Sequence, residues 1–138
     1  MEAFIVGFDN KHAQTIRNIR NEVFTKEQNV DSSMDFDGLD DEAIHVLIAC
    51  NNDFVGTGRM LKDGHIGRLA VLKEYRGQGL GNCIVKALIE EAVKWDLKRV
   101  YLGAQKHAID FYRKLGFSAY GESFNEVNIE HVSMETFI

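Results

Sequence analysis

The sequence predicts a mixed α/β fold in a single domain that spans residues 1–138. β-rich runs and helical patterns alternate in the order β-α-β-β-β-α-β-α-β-β, without internal repeats or low-complexity tracts. A length of 138 residues is typical of one domain. The chain is 45% hydrophobic and 27% charged, which excludes a disordered protein, and it contains no proline with which to build a proline-rich linker.

A strand and a helix open the chain. Ala3–Phe8 is a short apolar run bounded by polar residues, which is typical of a strand. Asp9 or Asn10 then offers a side chain that can cap a helix. Apolar residues at helical spacing carry this helix to about Phe24.

Three antiparallel strands are predicted in the middle of the chain. Ala43–Cys50 is β-rich and apolar, and Asn51-Asn52-Asp53 after it is a turn signal. Phe54–Leu61 and His65–Val71 are joined by Lys62-Asp63-Gly64. Because Asp-Gly between two apolar runs is a strong hairpin signal, these two runs are expected to pair.

The second half of the chain predicts two helices and three strands. A long helical pattern from about Gly79 to Lys94 repeats apolar residues every three or four positions, at Leu80, Ile84, Leu88, Ala92 and Trp95. Val100–Leu102 is a short strand. The next helix has one apolar face, formed by Ala108, Phe111, Tyr112 and Leu115, and Gly116 ends it. Phe117–Phe124 and Ile129–Phe137 are expected to be closing strands.

The charge pattern excludes several classes of protein. The formal net charge is −5, and six of the 21 acidic residues lie in Asp31–Glu42, so the rest of the chain is nearly neutral. Without a basic stripe, a nucleic-acid partner is not expected. No apolar run approaches the roughly 20 residues of a membrane span, and the N-terminus lacks a signal-peptide pattern. With only two cysteines, Cys50 and Cys83, the chain fits a reducing cytoplasm.

The acidic segment has two interpretations. It is either a solvated loop or a negative field that attracts a cationic partner. A calcium loop is not supported, because Leu39 occupies a position that needs a ligand, and no metal is predicted.

The most informative stretch is the loop Arg76-Gly77-Gln78-Gly79-Leu80-Gly81, between a strand and the long helix. Its glycines allow a close backbone approach to a ligand, and free N–H groups at a helix N-terminus favour phosphate. The P-loop motif does not match, because it needs Gly-Lys-Ser/Thr where Gly81-Asn82-Cys83 stands. A Rossmann fingerprint needs a third glycine at Asn82. A phosphate ligand other than these two nucleotide classes is therefore predicted.

This loop resembles the acetyl-CoA motif of the GNAT superfamily of N-acetyltransferases, Arg/Gln-x-x-Gly-x-Gly/Ala, at Arg76, Gly79 and Gly81. A second family motif is recognisable in Ala108–Phe117. Further stretches resemble the small bacterial ElaA- and YjcF-like branch, and these are Val23–Val30, Gly56–Arg59, Gly103–Gln105 and Ile129–Met134.

The resemblance implies a mostly antiparallel central sheet of about seven strands, flanked by helices and splayed between the fourth and fifth strands. Acetyl-CoA would be the co-substrate. Pantetheine would pair with Leu69, Ala70 and Val71, and a bulge, for which Gly67 is suitable, would free a backbone N–H for the oxyanion. The pyrophosphate would lie on Arg76, Gly77, Gln78, Gly79, Leu80 and Gly81. The rest of the cofactor site would be Gln105, His107, Ala108, Phe111 and Tyr112; many members have Asn where this chain offers Gln105 and His107.

The resemblance also implies catalytic roles. Tyr112 matches the tyrosine that protonates the departing thiolate. Its spacing alone favours a core residue, whereas the Phe-Tyr-x-x-x-Gly-Phe context favours the catalytic role. His131, with Glu126 nearby, is the candidate base, whereas a lone strand histidine is more often structural. His45, His65 and His107 are weaker candidates. The acceptor site is expected to include Phe24, Glu27, Gln28, Arg59 and His131.

The sequence is therefore expected to encode a cytoplasmic, acetyl-CoA-dependent N-acetyltransferase. The acetyl group would pass directly to the primary amine of a small molecule. Two alternatives stay open, which are a non-catalytic module that binds CoA or a partner, and an acyltransferase that uses another acyl group or acceptor. A homodimer is also left open.

Overall fold

The computed structural model describes residues 1–30, 37–126 and 129–138. Part of the acidic segment, including Asp31 and Asp35, lies outside the described residues. Within the described residues, no helix is long and apolar enough to cross a membrane.

The first sheet has four antiparallel strands in sequence order. They are β1 (Glu2–Val6), β2 (Ile44–Cys50), β3 (Asp53–Met60) and β4 (Ile66–Val71). The predicted hairpin forms, with Met60 opposite Ile66 and Leu61 N–H bonded to the His65 carbonyl at 2.9 Å. Continuous apolar runs and a strong Asp-Gly turn explain why β2, β3 and β4 could be predicted from the sequence.

Helix α1 (Asn10–Arg20) begins where the capping residue was expected, because the Asp9 carboxylate accepts from the N–H groups of Lys11 and His12. The chain then continues as a π-helical segment (Asn21–Glu27). Single π-turns are rare and are often found at functional sites. This segment presents Phe24 near the second half of the chain.

Helix α2 (Leu80–Lys94) lies at the centre of the main core. The predicted apolar face is buried at Leu80, Ile84, Leu88 and Ala92. Trp95 is the exception, because it ends the helix as the C-cap and is 37% exposed. The helix packs closely on β3, since a Cβ on Gly58 would lie only 2.5 Å from Ile84 Cγ2.

The second sheet is built around the last strand. It contains β5 (Arg99–Gln105), β6 (Ser118–Ala119), β7 (Phe124–Glu126) and β8 (Ile129–Phe137), with β8 pairing with each of the others. The prediction of one strand over Phe117–Phe124 is wrong, because two short strands flank Gly121 at φ +70°. The described residues therefore form eight strands, where about seven were expected.

The two sheets meet where β4 and β5 run side by side. A parallel bridge joins His65 to Tyr101, supported by the Tyr101 N–H and the Gly64 carbonyl at 3.1 Å. Beyond this bridge the described parts of β4 and β5 share no ladder, so a wedge opens between them. This is the predicted splay between the fourth and fifth strands. The short helix α3 (Ile109–Lys114) follows β5 beside the open end of the wedge.

Candidate active site

A cavity of about 420 Å³ fills the wedge between β4 and β5 and extends to β7, β8 and the π-helical segment. Many residues predicted for the site line it, and these are Phe24, Gln28, Leu69, Gln105, His107, Ala108, Tyr112, Glu126 and His131. Residues from distant parts of the chain therefore converge on one space.

Tyr112 lies on the wall contributed by α3. It is only 9% exposed, and its ring packs edge-on against Phe111 and Phe117 at 5.0 and 5.8 Å between centroids. Burial raises the pKa of the Tyr112 phenol to about 12. Among the described residues its hydroxyl makes no hydrogen bond, so the phenol proton remains available to a ligand in the cavity.

His131 lies on β8, opposite Gln105 at the end of β5. The ring is stacked on Phe124 at 5.6 Å, and Nδ1 lies 2.7 Å from the Ile129 carbonyl oxygen. Because a carbonyl only accepts, Nδ1–H donates, and the Nε2 lone pair is left for another partner. Glu126, on the adjacent β7, is an exposed carboxylate on the same cavity wall. The structure thus brings the two predicted catalytic groups together.

His65 also lines the cavity, although the sequence analysis made it a weaker candidate base than His131. Its ring stacks on Tyr101 with centroids 4.7 Å apart, and its backbone N–H donates to Asp63 Oδ1 at 3.1 Å. The Tyr101 hydroxyl donates to the same carboxylate. The sequence feature that could have indicated a role for His65 is its position directly before β4, where a neighbouring strand can lie against it.

The bulge expected at Gly67 is centred one residue later. Arg68 and Leu69 together lie opposite Gly58, and Arg68 has φ +54° while Gly67 does not adopt a positive φ. A left-handed conformation costs a non-glycine residue about 1–2 kcal/mol. Such strain is often found at functional sites, and the bulge leaves backbone groups out of the ladder beside the cavity.

The glycine loop is open to solvent at the N-terminus of α2. Gly77 and Gly79 have φ of +80° and +81°, and a Cβ built on either would meet nothing within 4 Å. Gly79 is the N-cap and supplies no side-chain hydrogen bond to the first turn. The exposed N–H groups of this turn suit a phosphate.

Other loop residues have structural contacts. Leu80 is buried in the core, and Gly81 lies against Phe111, whose Cζ would be 3.3 Å from an added Cβ. Gln78 is exposed. On the strand before the loop, Ala70 is buried and Val71 is partly buried.

Arg76 is held by two elements. Its Nε donates to the Val71 carbonyl at 2.9 Å, and its two Nη atoms lie 2.6 and 2.9 Å from the Glu27 carboxylate. The hydrogen bonds from Arg76 lower the pKa of Glu27. Glu27, predicted to contact the acceptor, is therefore directed to the cofactor loop and does not line the cavity.

Arg59 lies outside the cavity, in a cluster of ion pairs. Only 4% exposed, it bonds Asp37 at 2.8 and 2.9 Å and Asp40 at 3.0 Å. The fully buried Arg20 bonds both oxygens of Asp40 at 2.9 Å, and Arg68 lies 3.3 Å from Asp37. The structure therefore does not place Arg59 at the acceptor.

The same cluster corrects the interpretation of the acidic segment for its described part. Three guanidinium groups neutralise Asp37 and Asp40, so these two carboxylates supply no free negative field. Asp41 and Glu42 are exposed. Within the described residues, no group of three or more His, Cys, Asp or Glu could hold a metal ion.

Gln28 closes one side of the cavity. Its Oε1 accepts from Gln105 Nε2 at 3.2 Å, across a separation of 77 residues. This bond connects the π-helical segment with the end of β5. Gln28 and Gln105 therefore lie together on the wall, where one was expected to contact the acceptor and the other the cofactor.

Comparisons with known proteins agree with this architecture. A family model described as an acetyltransferase (GNAT) domain matches residues 9–137. YjcF of Bacillus subtilis, described as an uncharacterized N-acetyltransferase, is 38% identical over 120 residues, which cover 84% of this chain and 86% of that protein. Protein ElaA of Escherichia coli is 34% identical over 124 residues, or 84% and 81% of the two chains.

Solved structures show the same fold. The crystal structure of E. coli ElaA superposes with a TM-score of 0.86 and 31% identity, covering 98% of this chain and 99% of that one. An aminoglycoside 6'-N-acetyltransferase complexed with coenzyme A superposes with a TM-score of 0.76 over 97% and 96% of the two chains. At 17% identity, this second likeness concerns the fold alone.

Proposed function

Because the chain belongs to the acetyltransferase (GNAT) family and is an N-acetyltransferase, we propose that it transfers an acetyl group from acetyl-CoA directly to the primary amine of a small molecule. The observation that carries this proposal is the cavity in the β4–β5 wedge, with a phenol, an imidazole and a carboxylate on its walls. We assign this activity to one domain, residues 1–138, in the cytoplasm.

The open glycine loop is the proposed site of the CoA pyrophosphate. Its N–H groups and the N-terminus of α2 favour an anion, and Arg76 adds a permanent positive charge. The pantetheine arm would follow the backbone of Leu69, Ala70 and Val71 into the open end of the wedge. On the opposite wall it would meet Gln105, His107, Ala108 and Phe111. When bound, acetyl-CoA supplies an acyl group activated as a thioester.

The bulge at Arg68 and Leu69 is the proposed source of an oxyanion donor. Backbone N–H groups that are fixed before the reaction stabilise developing negative charge without reorganising. The bulge, with Arg68 at φ +54°, takes backbone N–H groups out of the β3–β4 ladder, which is the property that such a donor needs. This supports the expected role of the bulge and moves its centre from Gly67 to Arg68.

Tyr112 is the proposed proton donor to the sulfur of the departing thiol. A phenol with a pKa of about 12 stays protonated throughout the neutral range. The proton is therefore present at every pH at which the enzyme works. His131 Nε2 and Glu126 are the groups proposed to bind and orient the acceptor amine, since both residues line the same cavity as Tyr112.

The cavity supports the proposal of a small acceptor. Its volume of about 420 Å³, which the acceptor would share with the pantetheine arm, is that of a small-molecule site. Phe24 and Phe124 supply apolar surface, whereas Gln28 and Glu126 supply polar contacts. An amine with a short apolar body matches these walls.

The test is incubation of the protein with acetyl-CoA and a panel of small primary amines. Release of the CoA thiol and the mass of the acetylated product are measured together. The proposal expects both, with equal amounts of thiol and product. CoA binding without thiol release for any amine would favour a non-catalytic CoA-binding module. Faster reaction with a longer acyl-CoA, or with hydroxyl acceptors, would favour another acyltransferase.

A further inference from the structure

A second imidazole lies in the cavity, at the end of the wedge opposite to the cofactor loop. His65 is at the closed end, where the bridge to Tyr101 still joins the two sheets. His131 lies opposite Gln105, four residues further along β5 and towards the open end. The two histidines therefore lie at different depths of one cavity.

The two positions differ in what they can reach. A cofactor arm that enters through the open end would point its acyl group towards the closed end. The amine must approach the acyl carbon from the side that the arm does not fill. This side is the one on which His65 lies, directly before β4 and three residues before Arg68 of the bulge.

The ring of His65 is oriented by stacking, which leaves its two nitrogens without hydrogen bonds among the described residues. Stacking on Tyr101 fixes the plane of the ring, at 12° between the two planes. In the described part of the chain, neither ring nitrogen makes a hydrogen bond, and the residue is only partly buried. One nitrogen is therefore available as a proton acceptor, directly or through a water molecule.

The charges around His65 suit a base that is neutral before the reaction. Burial lowers the pKa of the imidazole, and the positive charges of Arg59 and Arg68 act in the same direction. The carboxylates of Asp63 and Glu126 act in the opposite direction and would stabilise the imidazolium once it forms. The neighbouring Tyr101 contributes no charge, because burial and its bond to Asp63 raise its pKa to about 12.

We infer that His65 is a catalytic residue, the general base that removes a proton from the ammonium group of the acceptor. The inference rests on the proposed function and deepens it. His65 takes one proton from the ammonium group, and the neutral amine attacks the acyl carbon, so that the C–N bond forms as the carbonyl oxygen becomes an oxyanion. When the oxyanion collapses, the C–S bond breaks and Tyr112 gives its proton to sulfur. The second proton on nitrogen passes through water to the Tyr112 oxygen and restores the phenol, while His65 releases its proton to solvent. His131 then orients the acceptor and is not the base.

The experiment uses the full chain and an amine that the parent protein acetylates. Parent, His65→Gln, His65→Glu and His131→Gln are compared by thiol release from about pH 5.5 to about pH 9, around the usual pKa of histidine. His12→Gln is the matched control, because His12 lies on α1 outside the cavity and bonds only Asp9 in the described structure. CoA affinity by calorimetry and the melting temperature are measured for every variant.

The expected result is a change in the pH profile. His65→Gln should lower kcat/KM by about 10²-fold at neutral pH. Its log kcat/KM should then rise with a slope of one towards the pKa of the free amine, because only neutral amine can react. His65→Glu should restore part of the rate and move the acidic limb down, as a carboxyl group has a pKa of about 4.3. His131→Gln should raise the acceptor KM without this change of shape.

A second measurement does not depend on any variant. The pKa of the His65 ring, followed by NMR in the parent protein, should equal the acidic limb of kcat/KM, which reports the free enzyme. A parental profile in His65→Gln, or a limb that follows His131, would overturn the inference. If the parent protein releases no thiol with any amine, the proposed function itself fails, and the base assignment fails with it.

Discussion

The carboxylate of Glu27 and the guanidinium of Arg76 form a bidentate ion pair, with N–O distances of 2.6 and 2.9 Å across 49 residues of sequence. The pair connects the π-helical segment, which lines the cavity through Phe24, with the loop that we propose as the CoA pyrophosphate site. A phosphate that binds at Arg76 would therefore compete with the Glu27 carboxylate for the same guanidinium group.

Glu27→Gln should tighten CoA binding, because it removes the anion that competes for Arg76. An exposed ion pair is worth up to about 1 kcal/mol, so the expected gain is about two- to fivefold in Kd by calorimetry. The matched variant Arg76→Gln should weaken CoA. If Glu27→Gln also weakens CoA, the carboxylate positions Arg76 and does not compete for it.

Gly79→Ala should weaken CoA binding by at least about tenfold, since a methyl group would stand in front of the N–H groups of the loop. At φ +81° the change also costs about 1–2 kcal/mol of stability. Gly121→Ala is the control, because Gly121 has φ +70° and equally open space away from the loop. Calorimetry and thermal unfolding separate the two effects. Equal loss of CoA affinity in both variants would refute a local cradle at Gly79.

Tyr112→Phe should lower kcat by about ten- to a hundredfold. The thiolate is a fairly good leaving group, so the loss should lie at the low end of general acid catalysis. CoA affinity and melting temperature should change little, because the ring keeps its packing on Phe111 and Phe117. The parent should show no basic limb from Tyr112 below about pH 11, given its pKa of about 12. Tyr75→Phe is the control for the loss of a tyrosine hydroxyl. A Tyr112→Phe variant with parental kcat would show that Tyr112 has only a structural role.

Asp40→Asn should destabilise the fold by up to about 3–5 kcal/mol, because it removes the buried carboxylate that bonds both Arg20 and Arg59. Urea unfolding measures this, with the exposed Asp41→Asn as control. The result also decides how the activity of a double variant in this cluster is interpreted. A reduced activity in Asp37→Asn plus Asp40→Asn would reflect lost structure and not a lost field for cationic acceptors. An Asp40→Asn protein of parental stability would contradict this.

The same cluster predicts acid sensitivity. Hydrogen bonds from Arg59 lower the pKa of Asp37, and at Asp40 burial raises the pKa but the bonds from Arg20 and Arg59 outweigh it. Because both folded values lie below the unfolded value of about 3.9, their stabilisation is complete above that pH and is lost as the pH falls below it. The urea concentration at the midpoint of unfolding should therefore decrease as the pH falls below about 4, and it should decrease less steeply in Asp37→Asn.

Local features could be predicted from the sequence. Asp9 as the first helix cap, the Asp63-Gly64 hairpin and the glycine loop before α2 each depend on a few neighbouring residues, and all three were found. Trp95 followed the helical period but lies beyond the end of α2, because periodicity does not locate the residue at which a helix stops.

Features that depend on tertiary contacts could not be predicted. Arg59 and Glu27 were both predicted to contact the acceptor. In the fold, Arg59 pairs with Asp37 and Asp40, and Glu27 pairs with Arg76. Likewise, His65 faces the cavity only because β5 lies beside the start of β4. Each of these depends on which strands and loops become neighbours.

The strand order has a consequence for how the chain folds. Strand β2 pairs with β3, and β3 pairs with β4, so these contacts close short loops. The ladder between β5 and β8 joins Arg99 to Phe137, and the ladder between β1 and β2 joins Val6 to His45, so both close much longer loops. Since short loop closures are kinetically favoured, we expect the β2–β4 part of the first sheet to form early and the second sheet late. The catalytic wedge, which needs both, is then completed only at the last step of folding.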